Sequence, residues 1–328
     1  MTEQPKLENK EQKSFLDQWI EKEFNEEYDA QVRVLHDLRL LEVFPGKDVM
    51  GIIGIDGKEY PVPTKADIIA EIKANPEKYE KKMKQGFTKI QLTPFALPLE
   101  RLTTLLSEKL LDRYNRRALF DVNRDLMELD IREPLHVWSG FVDPEAPEGR
   151  RGADVTGKSI YHPTSFHQKD HHGQTKDEIL KAQAGLPFSG WEVKLIEQNQ
   201  SVGNVGNVGG RENFRMGEQP AYYLSLLMSD PQYANEQGLL SEDWLIQILV
   251  SLERFKRIDD ELRCNLFFGN MWLNPRGSVL VSNGQWSGFV KQLTLFSNYV
   301  YSPIGSMHVR TAVPIGPQLV GKKLVFQS

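Results

Sequence analysis

Apolar residues recur at intervals of three and four from Phe15 through Trp19, Phe24, Tyr28, Val32, Leu35 and Leu38, with charged residues between them. That spacing predicts one or two amphipathic helices, stopped at Pro45-Gly46. Val49 to Val62 reads as two short strands joined at Asp56-Gly57, a dipeptide that tolerates the positive φ angles of a tight hairpin. Thr64, with Asp67 three residues on, marks the N-cap of a helix running to about Lys73. Asn75 to Gln85 predicts another, with Pro76 in its first turn and Lys81, Lys82 and Lys84 near its end, where the helix dipole favours cations. These late lysines read as a solvated helix face, not a nucleic-acid site. Phe87 to Pro94 alternates as a strand does, and Leu99 to Tyr114 returns to helical spacing.

Between Asp143 and Gly190 prolines, glycines and polar residues dominate, with one short helical stretch near Asp177 to Ala184. A segment of that length and composition reads as a functional loop or a linker. Beyond it come a strand at Trp191 to Gln198, helices at Ala221 to Met228 and Ser241 to Leu262, and a series of strands. Turn signals stand at Asn274 to Gly277, Asn283-Gly284 and Pro303 to Gly305. The expected fold class is α+β, without the regular strand-helix alternation of a dinucleotide-binding sheet. The expected division is an N-terminal mixed domain over 1–142, a polar connection over 143–189 and a C-terminal domain over 190–328.

Composition narrows the classes without naming one. With 328 residues, 40% hydrophobic and 26% charged, the chain is globular in character, and its net charge of −5 disfavours duplex nucleic acid as a partner. A single cysteine, Cys264, excludes an internal disulfide framework and fits a reducing compartment. A polar, charged N-terminus and the lack of any long uncharged apolar run predict a cytoplasmic protein with no membrane span.

The last third carries Gly269-Asn270-Met271-Trp272, then Asn283-Gly284-Gln285-Trp286, then His308-Val309-Arg310. In this order the segments resemble the C-type-lectin-like fold as used by the formylglycine-generating-enzyme (sulfatase-modifying factor) superfamily and by related bacterial and mobile-element proteins. The resemblance implies two helices against a small antiparallel sheet whose irregular loops bind a ligand. It does not imply the family's oxidative chemistry, which relies on a pair of active-site cysteines. The N-terminal segments Gln85 to Lys89 and Pro94 to Leu99 resemble those of uncharacterised bacterial proteins.

Candidate chemistry is sparse. His162, His167, His171 and His172 are four of the seven histidines and lie beside Asp170, a spacing that could close on a transition metal. No HExxH pairing orients them, so a solvated polar loop is the plainer reading and a metal-dependent enzyme the alternative. Gly203 to Gly210 lacks the lysine-serine ending of a phosphate loop and reads as a flexible turn. Glu242-Asp243, after Ser241, reads as a helix start, Asp259-Asp260-Glu261 as a structural charge run, and neither as an acid-base pair. Trp272, Trp286, Asn298, Tyr299, Tyr301 and Arg310 are the candidate ligand-binding residues, because rigid aromatics give contact area at low entropic cost. The expectation is a non-enzymatic protein binding a protein or small molecule, with no cofactor. A structural component of a phage or other mobile-element assembly is a further alternative.

Overall fold

The computed structural model describes residues 14–147, 151–197, 206–258, 265–274, 277–305, 307–316, 318–320 and 323–325. Cys264, Asp259 to Glu261 and residues 203–205 of the glycine segment lie outside them, while Gly209 and Gly210, both at positive φ, turn a small hairpin. The first amphipathic stretch forms α1 (Phe15–Trp19), capped by the Ser14 hydroxyl accepting from Asp17 N at 3.1 Å, then a π-turn over Ile20–Phe24 and α2 (Asn25–Asp37). A three-stranded ribbon follows, β1 (Glu42–Val43), β2 (Met50–Ile53) and β3 (Glu59–Pro61), turning at Gly57 with φ +76°. Thr64 caps α3 (Lys65–Ala74) through Asp67 N at 3.1 Å, and Pro76 opens α4 (Pro76–Lys84). β4 (Phe87–Thr93) and α5 (Leu99–Asn115) complete the N-terminal elements where periodicity placed them.

The stretch from 118 to 190, which includes the polar segment 143–189, carries regular elements of its own. It supplies β5 (Leu135–Val137), β6 (Ser159–Tyr161) and α6 (Lys176–Ala182), the last closed by a capping box between Thr175 and Glu178. Then come β7 (Glu192–Glu197), the small hairpin β8 (Asn207–Val208) and β9 (Arg211–Glu212), α7 (Pro220–Ser229), β10 (Gln237–Gly238) and α8 (Ser241–Phe255). The chain ends in β11 (Asn265–Leu273), β12 (Val279–Ser287), β13 (Gln292–Tyr299), β14 (His308–Val309), β15 (Thr311–Pro314) and the hairpin β16 (Gln318–Val320) and β17 (Lys323–Val325).

Two larger sheets organise these elements. One runs β10-β15-β7-β4, antiparallel throughout. The other runs β14-β11-β12-β13-β5, with β6 pairing the far half of β11. Both sheets cross the expected boundaries at 142 and 189: β4 lies beside β7, β5 beside β13, and β6 beside β11. The two strands that bracket the last third, β7 and β15, are direct neighbours, Val313 facing Leu195.

Helix α8 packs against α2 and α5 on one side and touches both β4 and β12. It is therefore buried almost all round, as a central helix must be, with Trp244, Leu245, Leu249 and Leu252 inaccessible to solvent. β11 alternates as a strand between two apolar layers should. Phe267 and Trp272 join the main core; Leu266, Phe268 and Met271 face a second core under α7. Asn283-Gly284 does not turn the chain. Gly284 lies inside β12 because a Cβ there would stand 2.6 Å from the Trp244 indole, and the β12-β13 connection falls instead between Ser287 and Gln292. The second long helix stops at Phe255, where Lys256 takes a left-handed conformation, and does not run on to Leu262. Among the described residues no helix is long and apolar enough to cross a membrane.

Candidate ligand-binding cleft

Beside the second core, α7, β10, the middle of β11 and the turn after β6 enclose a cleft of about 170 Å³. Its floor is a close approach of backbones. A Cβ on Gly269 would lie 2.3 Å from Gly238 O, and one on Gly238 would lie 2.6 Å from Gly269 N. Glycine is required at both positions for that reason. Gly269 also falls where β11 slips register against β12 between Phe267 and Met271, so its amide is free to donate to Leu239 O at 3.0 Å and its carbonyl to accept from His162 N at 2.7 Å. Bulges of this kind re-aim a strand beside a site. Asn270, next in the strand, is fully buried and bonds the Ser241 and Ser282 hydroxyls at 3.3 Å each, which ties the bulge to the start of α8.

One wall is apolar: Leu224, Leu227 and Met228 from α7, with Phe268 and Pro163. Lys78, His162, Glu236 and Gln237 line the same cleft. His162 has φ +52°, a conformation that costs a residue with a Cβ about 1 kcal/mol or more and persists only where neighbours hold it. What holds it is its own amide on Gly269 O and its ring Nε2, 3.1 Å from Glu192 Oε1. The second Glu192 oxygen meets Lys194 Nζ at 3.2 Å and Gln237 Nε2 at 3.4 Å. Burial alone would raise the Glu192 carboxyl, but the charges of Lys194 and His162 and their hydrogen bonds outweigh it and hold the pKa at about 2. With a carboxylate as acceptor, Nε2 carries a ring hydrogen, and Nδ1 is left as the second ring nitrogen. Nδ1 has no hydrogen-bond partner among the described residues. A second recess of about 30 Å³ shares His162 with the cleft and is lined also by Trp191, Glu192 and Phe188.

Lys78 is the other unusual group. It sits in the first turn of α4, half-buried, with Nζ 3.4 Å from Pro314 O and from Tyr79 Oη and 4.7 Å above the Tyr79 ring. No carboxylate lies within ion-pair reach of it among the described residues. Burial lowers its pKa to about 8, against a weaker opposing influence from Glu71. The positive end of the helix acts in the same direction as burial.

Behind the cleft the buried cations Lys82, Lys176, Lys194 and Arg211 are held in ion pairs. Lys176 lies 2.8 Å from Asp154 and 2.9 Å from Glu242, whose Oε1 also accepts from Tyr161 Oη at 2.7 Å. Lys194 meets Asp243 at 2.6 Å, and Asp243 accepts from Thr93 Oγ1 at 2.7 Å and from Leu240 N at 2.9 Å. Lys82 meets Glu236 at 2.7 Å, and Arg211 grips the same carboxylate with two bonds of 2.8 Å. Burial opposes the charge on Lys176 and Lys194, yet their carboxylate partners outweigh it and raise both. Glu242 and Asp243 are thus buried ion-pair partners as well as helix-opening residues, and Lys82, read as solvated, is buried.

The residues expected to bind ligand do not meet on one surface. Trp272 and Trp286 are core residues, Trp272 packed edge-on against Phe141 at 4.5 Å, because β11 and β12 are covered on both faces. Arg310 is buried and donates to Gln247 of α8. Asn298 is half-buried beside Met307, while Tyr299 and Tyr301 are exposed. The four histidines do not converge: His162 faces Glu192, His171 Nδ1 accepts from Gly173 N at 3.0 Å, and His167 and His172 are exposed. Among the described residues no three of His, Cys, Asp and Glu are placed to hold a metal ion. Only His162 among the sequence candidates lines the cleft. Lys78 carried a readable signal: it stands in a helix's first turn, where a cation is disfavoured, unlike the lysines in the last turn. No protein-family model, curated protein or solved structure matches the chain.

Proposed function

We propose that the chain is a binding protein and that its site is the cleft under α7, taking a compact, largely apolar molecule that bears an anionic or carbonyl oxygen. The observation that carries this reading is that the Lys78 amine, with no carboxylate partner among the described residues, lines the same cleft as Leu224, Leu227 and Met228. Clefts with apolar walls and few convergent polar groups are the usual form of small-molecule sites. A ligand oxygen would give Lys78 a nearer and more negative acceptor than the two oxygens at 3.4 Å. His162 and Gln237, both anchored on Glu192, would orient the polar end.

The lectin-like reading of the last third belongs to the same proposal. Strand β7, helices α7 and α8, strands β11 to β13 and the return of β15 beside β7 follow the order that the resemblance implies. On that frame the ligand-contacting segment is the β10-α8 approach and the bulge of β11, not the exposed tyrosines. Isothermal titration with benzoate at pH 7 tests the site. Saturable binding that Leu227→Trp abolishes by filling the cleft supports it; no benzoate binding, or equal binding by the Leu227→Trp protein, overturns it.

A further inference from the structure

We infer that Lys78 captures carbonyl compounds covalently, its amine condensing with an aldehyde or ketone held in the cleft to form an imine. The inference rests on the cleft being the binding site and goes beyond it by naming the substrate class and the bond. Three features of the geometry support it. The amine lines the cavity but has no carboxylate to hold it as an ion, so its nearest partners are two weak contacts at 3.4 Å. The apolar wall of α7 faces the same space and would seat the body of the carbonyl compound. His162 lines the same cleft, with Nε2 committed to Glu192 and Nδ1 unclaimed among the described residues, so a group able to take and return a proton stands in the same cavity.

The step balances without any further reactant. The Nζ lone pair attacks the carbonyl carbon and forms the C–N bond as the C=O π pair moves to oxygen, which takes up a proton. The nitrogen supplies that proton, the hydroxyl then leaves as water with a second proton that the nitrogen also gives up, and the C=N bond of the imine remains. Only the unprotonated amine can begin this sequence, and burial beside a helix N-terminus favours that form. An amine titrating near 8 instead of 10.5 is far more often unprotonated at pH 7. Its lower intrinsic basicity gives back about half of that advantage on a logarithmic scale, as it does for other nucleophiles, leaving a gain of roughly twentyfold over an exposed lysine.

The test is reductive trapping. The full chain is incubated at pH 7 with one equivalent of benzaldehyde and cyanoborohydride, which reduces an imine to a stable benzylamine, and the adducts are mapped by mass spectrometry. The expected result is a benzyl group at Lys78 in roughly twentyfold excess over any other lysine, lost in Lys78→Arg, whose circular dichroism reports an intact fold. Excess benzoate should suppress the label. Label spread over exposed lysines with no excess at Lys78 overturns the inference. If benzoate still binds and is still excluded by Leu227→Trp, that outcome leaves the binding site standing and removes only the covalent step; if benzoate does not bind, both fall.

Discussion

Replacing Lys78 by methionine should stabilise the protein, against the usual direction of substitutions in a buried position. The amine titrates near 10.5 in water and near 8 in the cleft. At about 1.36 kcal/mol for each pH unit, the charged form costs up to about 3 kcal/mol at pH 7. Solvent reaches one side of the side chain, which brings the net cost to about 1–2 kcal/mol. Methionine keeps the aliphatic stem on Tyr79 but gives up the cation over its ring, a loss of about 0.5 kcal/mol. The balance is about 1 kcal/mol in favour of the variant.

The sign with pH follows from the lowered pKa. Between about 8 and 10.5 the unfolded chain binds a proton at Lys78 that the folded chain does not, so the wild-type protein gains stability as pH rises through that window. The methionine variant has no such group. Urea midpoints compared at pH 7 and above pH 10 should therefore show a variant that is more stable at pH 7 and an advantage that disappears at the higher pH, with an unchanged denaturant slope. A variant less stable than wild type at pH 7, or a difference that ignores pH, would refute the claim that this ammonium is held at a cost.

Lys176→Met should have the opposite effect, because it leaves Asp154 and Glu242 buried without their cation; a loss of about 3–5 kcal/mol is expected in thermal or urea unfolding, and a near-neutral outcome would contradict the pairing. Gly269→Ala places a Cβ 2.3 Å from Gly238 O, so it should cost about 1–3 kcal/mol and abolish benzoate binding in calorimetry; retained affinity would mean that the floor of the cleft is not where the ligand sits. Glu192 titrates at about 2 in the folded chain and at 4.5 in the unfolded one, so its contribution is present above 4.5 and lost as pH falls toward 2. Glu192→Gln should flatten that part of the acid limb by about 2–3 kcal/mol, read from urea midpoints between pH 5 and pH 2; an unchanged limb would remove Glu192 from the account.

Local structure was legible because its causes are local. Thr64 and Asp67, Pro76, and the Asp56-Gly57 turn act within a few residues, and each lies where periodicity and capping placed it. The sheet partners were not legible, since nothing in Phe87 to Thr93 names Glu192 to Glu197 as its neighbour. The polar stretch from 143 to 189 misled for a specific reason. Composition counts Lys176 and Asp154 as solvated, whereas the structure buries both by pairing them, together with Tyr161. The same substitution of charge pairing for hydrophobicity hid the cleft. Glu192 and Lys194 occupy positions of β7 that a two-period reading assigns to the solvent face, yet that face packs against α8 and β10.

The buried pairs explain how an unpaired lysine can be held in place at all. Buried ion pairs contribute little net stability compared with apolar packing, but breaking or shifting one is costly, so they fix how elements dock. Lys194 locks β7 to the start of α8 through Asp243, and Lys176 locks α6 to the same turn through Glu242. Lys82 does the equivalent for α4: its bond to Glu236, shared with Arg211 and Thr311, fixes the helix against β15 and the segment before β10. Lys78 lies one turn earlier on the same face of α4, since residues four apart stack along a helix. Pinning Lys82 therefore points Lys78 at Pro314 and the cleft, and Glu236, already engaged by Lys82 and Arg211, is not left over to neutralise it. The paired lysine sets the rotation of the helix, and Lys78 is what that rotation delivers to the cleft.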